Sequence, residues 1–276
     1  MNRRVAILII NYNNEVDTFR CLESLFNSKY KKIKIYLLDN SSKIFPKKEF
    51  ENFMRKRKLI GKIIESKINT GFAEGNNILI KEALKDEKNE YFFVLNNDTT
   101  VKKNCISELI KTVEENCVGA VQPKIRIGTK PAFIQEGGAN KFNYLVTGKK
   151  KFFRCPEKEF PKKEFESDIL CGCGMLIKRE ILKKIYPWFK KEYFLYFEDI
   201  DFSLRIRKNG YRLIINPLAE ILHWESSSTK KISGLATYYF QRNGIVVRKE
   251  NANSFASLTR LLAIFLASGS LSERDV

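Results

Sequence analysis

Residues 91–101, YFFVLNNDTTV, run through five apolar side chains and then turn polar at once, reaching a carboxylate at Asp98. An unbroken apolar run of this length reads as a strand covered on both faces, as in parallel sheets. Neither Gly nor Pro accounts for the break. Taken alone, Asn96-Asn97-Asp98 fits a turn or a cap for a helix beginning near Asn104. Two other apolar runs end the same way: residues 5–10 lead into Asn11-Tyr12-Asn13-Asn14, and residues 33–38 into Asp39-Asn40-Ser41-Ser42. Open parallel sheets bind ligands outside the carboxyl ends of their strands. Three polar strand ends on one edge therefore point to a site.

Outward from these runs, the first half alternates strand and helix. Phe19, Leu22, Leu25 and Phe26 recur at helical spacing, residues 48–58 and 76–84 read as helices, and residues 62–65 as a short strand. Ile106, Leu109, Ile110 and Val113 mark the helix after the opening stretch. This βα repetition predicts an α/β fold with a mainly parallel twisted sheet and helices on both faces. Residues 126–168, rich in Gly, Lys, Phe and Pro with weak periodicity, predict a mobile, loop-rich insertion. Beyond it come a strand over 172–177, helices near 179–186 and 199–209, and a strand over 211–215. Asn209-Gly210 caps the second of those helices. The tail, from Ser233 to Ala267, reads as two helices.

The 276 residues are 43% hydrophobic and 30% charged, an ordinary soluble composition, but the formal charge of +18 is not ordinary. It predicts attraction to anions: nucleotides, nucleic acid or acidic lipid. The six cysteines form no CxxC pair and the chain has one His, which disfavours structural zinc. The amino-terminal apolar run is too short for a signal peptide, and residues 261–267 too short for a membrane span. The expectation is a cytoplasmic protein with reduced thiols.

Four stretches carry candidate chemistry. Asp98 suits a hard divalent cation and, through it, a diphosphate. Glu198-Asp199-x-Asp201 follows the aromatic run YFLYF, and a carboxylate beside rings gains basicity by desolvation, as a general base requires. Asp201 lies on another helix face and suits a pair with Arg205. His223 precedes Trp224 and the hydroxyl- and lysine-rich run 226–231, which suits phosphate. Residues 69–77, NTGFAEGNN, hold two glycines in a loop that matches no standard phosphate-binding pattern and also fits a helix cap at Asn76.

In order, ILIINYNN, LLDNSS, NTGFAEGNN, LNNDTTV, CGCGMLIKRE, FLYFEDIDFSLRIRKNGY and LHWESSS closely resemble the motifs of family 2 glycosyltransferases, in particular the rhamnosyltransferase-like branch. The resemblance runs from about residue 5 to 250. It implies a GT-A (Rossmann-like) fold, with a nucleotide-sugar half over 1–120, an acceptor-binding and catalytic half over 121–232, and a C-terminal helical segment over 233–276. It further implies a nucleotide-diphosphate-sugar donor, a saccharide or lipid-linked saccharide acceptor, and inversion at the anomeric carbon. Asn11, Tyr12, Asn13, Asp39, Asn69, Gly71, Asn77 and Asn97 would lie along the nucleotide. Asp98 matches the last Asp of the family's DXD motif and would bind Mg²⁺ or Mn²⁺, completed by His223; Asn96 replaces the motif's first Asp. Asp199 matches the catalytic base, with Glu198 orienting acceptor or base, and Gly172, Gly174 and Trp224 fall at the sugar and acceptor.

Two rival classes fit less well. A basic nucleic-acid-binding protein would account for the charge, but no recognition motif of that class is present. A sugar nucleotidyltransferase should carry a basic glycine-rich loop after its first strand, where this chain has NYNNEVDTF. The charge also suits peripheral contact with the anionic inner face of a membrane. The apolar stripe at 255–267 suits its own core first, and otherwise that membrane or a second subunit in a homodimer.

Overall fold

The computed structural model describes residues 3–141, 144, 149–224 and 233–251. The run 226–231 and the stripe at 255–267 lie outside the described residues. The expected alternation forms: β1 (Arg4–Asn11), α1 (Glu15–Phe26), β2 (Ile33–Asp39), α2 (Lys47–Lys56), β3 (Gly61–Glu65), α3 (Gly71–Leu84) and β4 (Asn89–Leu95). Then follow β5 (Thr99–Val101), α4 (Cys105–Val113), β6 (Val118–Ile127), β7 (Lys130–Glu136) and β8 (Phe165–Glu166). The described chain closes with β9 (Gly174–Lys178), α5 (Arg179–Lys184), α6 (Glu198–Lys208), β10 (Arg212–His223) and α7 (Ser233–Asn251).

The sheet runs β3-β2-β1-β4-β9-β6-β10-β5, with β7 on β6 and β8 on β10. Its first four strands are parallel, as is β6 with β10; β9 enters antiparallel between β4 and β6. Successive side chains of a strand face opposite sides, and β1 shows the result. Val5, Ile7 and Ile9 pack with α1, α2 and α4 on one face. Ala6 and Leu8 pack with α3, α5 and α6 on the other. A third cluster joins Phe197, Ile200 and Leu204 to Val247 of α7.

Three expectations need correction. α3 starts at Gly71, five residues before the cap expected at Asn76, because Gly71 takes φ +75° and turns the chain directly into the helix. Residues 126–168 are not all loop: β6 and β7 form a hairpin inside the sheet. The last strand continues past residue 215 to His223, across a register shift that skips from Asn216 to Glu220 opposite Pro123 and Lys124. Such a bulge lets Pro123, which has no N–H to donate, sit within a ladder.

Candidate active site

The carboxyl edge gathers most of the expected residues. Asn96-Asn97-Asp98 is indeed a turn: Thr99 donates from both its backbone N–H and its hydroxyl to Asn96 O, at 3.3 and 2.7 Å. The turn leads into β5, whose antiparallel register sets Thr99 against His223. That register brings two residues 125 positions apart together: His223 Nε2 lies 3.0 Å from Asp98 Oδ1, both side chains nearly buried. The other ring nitrogen, Nδ1, lies 2.7 Å from Gln135 Oε1. A carboxamide oxygen there accepts, so Nδ1 carries a proton, and Nε2 faces the carboxylate either as an imidazolium N–H or as a lone pair. Two electron-rich atoms at 3.0 Å repel unless the ring is protonated or a cation lies between them. Asn96 Nδ2 is 3.3 Å from the same nitrogen, and Asn96 Oδ1 is buried without a hydrogen-bond partner.

This donor set fits a divalent metal. A carboxylate oxygen, an imidazole nitrogen and a buried amide oxygen suit Mn²⁺ better than Mg²⁺, which favours oxygen alone. Among the described residues no group of three or more His, Cys, Asp or Glu forms a closed metal cage. Other positions would be left to ligand oxygens.

Asp199 opens α6. Gly172 N–H donates to its Oδ2 at 2.8 Å, and Ile200 N–H to its Oδ1 at 2.8 Å. Gly172 is where a side chain would intrude, since an added Cβ would stand 3.2 Å from both Asp199 Cβ and the Phe72 ring. Burial pushes the Asp199 carboxyl above its ordinary value, against the Gly172 N–H and the Lys150 ammonium, which pull it down. Glu198 is pushed well above the ordinary range, first by burial and then by the neighbouring Asp199 charge, and its Oε2 has no hydrogen-bond partner. Neighbouring carboxyl groups whose environments raise their pKa values by different causes are the arrangement that separates two carboxyl groups into two roles. Asp201 pairs with Arg205 at 2.8 Å, as its spacing predicts.

One cavity of about 250 Å³ is lined by Asn96, His223, Gly172, Glu198 and Asp199 together with Phe72, Gln135, Glu136, Tyr144 and Lys150. Gln135 and Glu136 end β7 and Lys150 lies in the loop beyond it; they escape sequence reading because no hydrophobic period marks residues 126–168. Lys150 pairs with Glu136; burial lowers the ammonium's pKa, but the charges of Glu136 and Cys171 and the Glu136 hydrogen bond together raise it. A larger hollow of about 930 Å³ among Arg3, Arg4, Lys31 and Lys178 lies at the amino-terminal ends of the strands. It holds none of the candidate groups.

The first two strand ends form one network. Asn11 Nδ2 donates to Asp39 Oδ1 at 3.0 Å and to Ser42 Oγ at 3.1 Å, while Thr18 Oγ1 donates to Asn11 Oδ1 at 2.8 Å. Asn97 Nδ2 reaches the same Thr18 hydroxyl at 2.9 Å. Asn13, at φ +50°, accepts from Lys43 N–H, and Tyr12 beside it is half-buried. Asn40 was missed as a separate residue: its amide holds Asn69, Thr70 and Gly71 through four bonds of 2.9–3.1 Å.

Three expected residues are engaged elsewhere. Asn77 spends its amide on the Phe189 backbone, donating at 2.7 Å and accepting at 3.1 Å. Gly174 permits close sheet packing, with an added Cβ 2.7 Å from Ile221 Cδ1. Trp224 lies under the Arg20 guanidinium, 4.2 Å from its centroid, and against Gly128. The idea of a phosphate loop at 69–77 also fails for α3's first donors: Phe72 N–H and Ala73 N–H already donate to Phe194 O at 2.7 and 3.2 Å.

Comparison with known proteins agrees with this architecture. The sequence profile described as Glycosyl transferase family 2 matches residues 6–186. Rhamnosyltransferase WbbL of Escherichia coli K12 is 25% identical over 228 residues, 80% of this chain and 83% of that protein. The mannosyltransferase PcManGT of Pyrobaculum calidifontis, solved with GDP-Man and Mn²⁺, superposes with a TM-score of 0.60 at 15% identity, over 98% of this chain and 80% of that one. GalNAc-T7, solved with UDP, GalNAc and Mn²⁺, gives a TM-score of 0.64 at 16% identity, over 80% of this chain and 44% of that one. Among the described residues, no helix is long and apolar enough to cross a membrane.

Proposed function

The chain belongs to glycosyltransferase family 2, and from that premise we propose that it transfers a sugar, with inversion, from a nucleoside-diphosphate sugar to an acceptor hydroxyl, with Asp199 as general base. One observation carries this reading. His223, held 3.0 Å from Asp98, lines the same cavity as Asp199, so a diphosphate-side group and a basic carboxylate face one space.

In that space Asp199 takes the acceptor's proton as the acceptor oxygen bonds to the anomeric carbon. The bond to the diphosphate oxygen breaks with its electron pair leaving on the nucleotide. Gly172 N–H aims Oδ2 and leaves the carboxylate a second lone pair for the proton. Glu198, neutral and with Oε2 unpartnered, holds the acceptor hydroxyl by a hydrogen bond. A positioned base of this kind contributes about 10²- to 10⁴-fold to the rate. Asn11, Tyr12, Asn13, Asp39 and Asn97 form the nucleoside end, and the loop of Asn69 and Gly71 its wall. Asn77, Gly174 and Trp224 act there through packing. Asp98 and His223, with Asn96 beside them, would hold Mn²⁺; bound there, the ion supplies Lewis-acid stabilisation of the departing diphosphate.

Chemically, the acceptor fits a saccharide, free or lipid-linked, and the protein's positive charge would draw it to an anionic membrane surface carrying such acceptors. The direct test is incubation with UDP-, GDP- and dTDP-sugars and Mn²⁺ while measuring nucleoside diphosphate release. Slow release from one donor class, lost in Asp98→Ala, is expected. Release from none of them would refute the reading.

A further inference from the structure

The segment that delivers Asp199 is held in a conformation its own sequence disfavours. Phe194, Tyr196 and Phe197 have φ of +60°, +68° and +72°, in a region that side chains with a Cβ seldom enter. No glycine lies in residues 192–199. Such a backbone persists only where its surroundings over-determine it. On one side the determinant is α3, whose first N–H groups at Phe72 and Ala73 grip Phe194 O.

On the other side it is a single buried side chain of α7. Asn243 is fully buried, and its Nδ2 lies 2.8 Å from Tyr193 O, 2.9 Å from Leu195 O and 2.8 Å from Tyr196 O. Two N–H bonds are thus shared among three carbonyls of the segment. The amide's direction is set by Arg242, whose Nη1 donates to Asn243 Oδ1 at 3.1 Å and to Glu192 O at 2.6 Å. Gly244 lets the helix approach: an added Cβ would lie 3.1 Å from Phe197 Cζ. Phe197 is the residue from which α6 begins, two positions before Asp199.

We propose that Asn243 is a positioning residue for Asp199, clamping the 193–197 backbone, with its left-handed Phe194, Tyr196 and Phe197, so that α6 presents the carboxylate to Gly172 N–H and the acceptor. On this account α7 is part of the catalytic apparatus and not an appendage to it. The proposal rests on Asp199 being the base. An amide is required because the clamp must donate; an isosteric carboxylate would set negative oxygens against three carbonyls.

The test compares Asn243→Asp, Asn243→Ala and Arg242→Met with Asp199→Asn, following nucleoside diphosphate release with water as acceptor. Thermal melting and calorimetric binding of UDP or GDP with Mn²⁺ are measured alongside. The expected result for folded Asn243 variants is kcat lower by about 10- to 100-fold, a displaced acid limb of the pH–rate profile, and unchanged nucleotide affinity. Arg242→Met, which leaves the buried Asn243 amide in place and removes only the donor that orients it, should fall in the same direction by less. Unchanged kcat, or a loss matched by weaker nucleotide binding with the acid limb unmoved, would overturn the positioning role. Near-normal release by Asp199→Asn would instead remove the base assignment itself, so the two failures are distinguishable.

Discussion

At the scale of single residues, the proposed chemistry depends on two carboxyl groups one position apart, Glu198 and Asp199, with different surroundings. Asp199 is more basic than an ordinary Asp because burial disfavours its charge, while Lys150 partly restores it. Activity should therefore fall on acidification at a higher pH than for a solvated Asp, since the base must be ionised. Removing the cation with Lys150→Met takes away stabilisation of the ionised form. The acid limb of kcat/KM should then move to higher pH, and a move to lower pH would contradict the role given to Lys150. The aromatic run before Glu198-Asp199 marks the acidic cluster in the sequence, while the choice of Asp199 within it as proposed base comes from family likeness. Its tuning group was not legible, because Lys150 is one of many lysines in a stretch without period. The pairing of Asp98 with His223 was expected only through family likeness. Its physical origin, the register of Thr99 against His223 and the Gln135 contact that orients the ring, depends on a strand of three residues. No sequence periodicity announces a strand that short.

At the scale of elements, the parallel half was legible because strands buried on both faces write themselves as continuous apolar runs. β6 was not. Its sequence VGAVQPKIRI contains Gly119 and Pro123, which read as breakers, and only the bulge in β10 makes the proline admissible. Asn216 stands where the β10 register shifts and stabilises the bulge, its Oδ1 accepting from Leu218 N–H at 2.7 Å. The start of α3 was misjudged for a related reason, since Gly71 was read as loop when it is the hinge. An alanine there would be strained at φ +75° and would put its Cβ 2.4 Å from Phe194 O, the carbonyl that α3 grips. Gly71→Ala should lower stability by about 1–3 kcal/mol, seen in denaturant unfolding, and should also reduce turnover. Stability within about 0.5 kcal/mol of the parent, the size of an ordinary surface substitution, would contradict the hinge.

At the scale of the whole molecule, burying Glu198 links the site to folding. Its pKa is raised above the ordinary 4.5, so folding takes up a proton as pH rises past that value. The contribution is fully present below 4.5 and is lost as pH climbs through the raised folded value. Glu198→Gln should therefore melt at a temperature that depends less on pH than the parent's as pH rises above the ordinary 4.5. Equal dependence would contradict a buried, mostly neutral Glu198. The +18 charge, by contrast, is a surface property whose individual ion pairs contribute little to the fold. Asp199, the proposed base, lines a space beyond the parallel strands that His223 and Asn96 line too. The most direct measurement of that account is single-turnover release of nucleoside diphosphate by Asp199→Asn, with UDP or GDP binding in Mn²⁺ measured on the same preparation. The account predicts a rate lower by about 10²- to 10⁴-fold with nucleotide affinity intact, and a near-normal rate would contradict it.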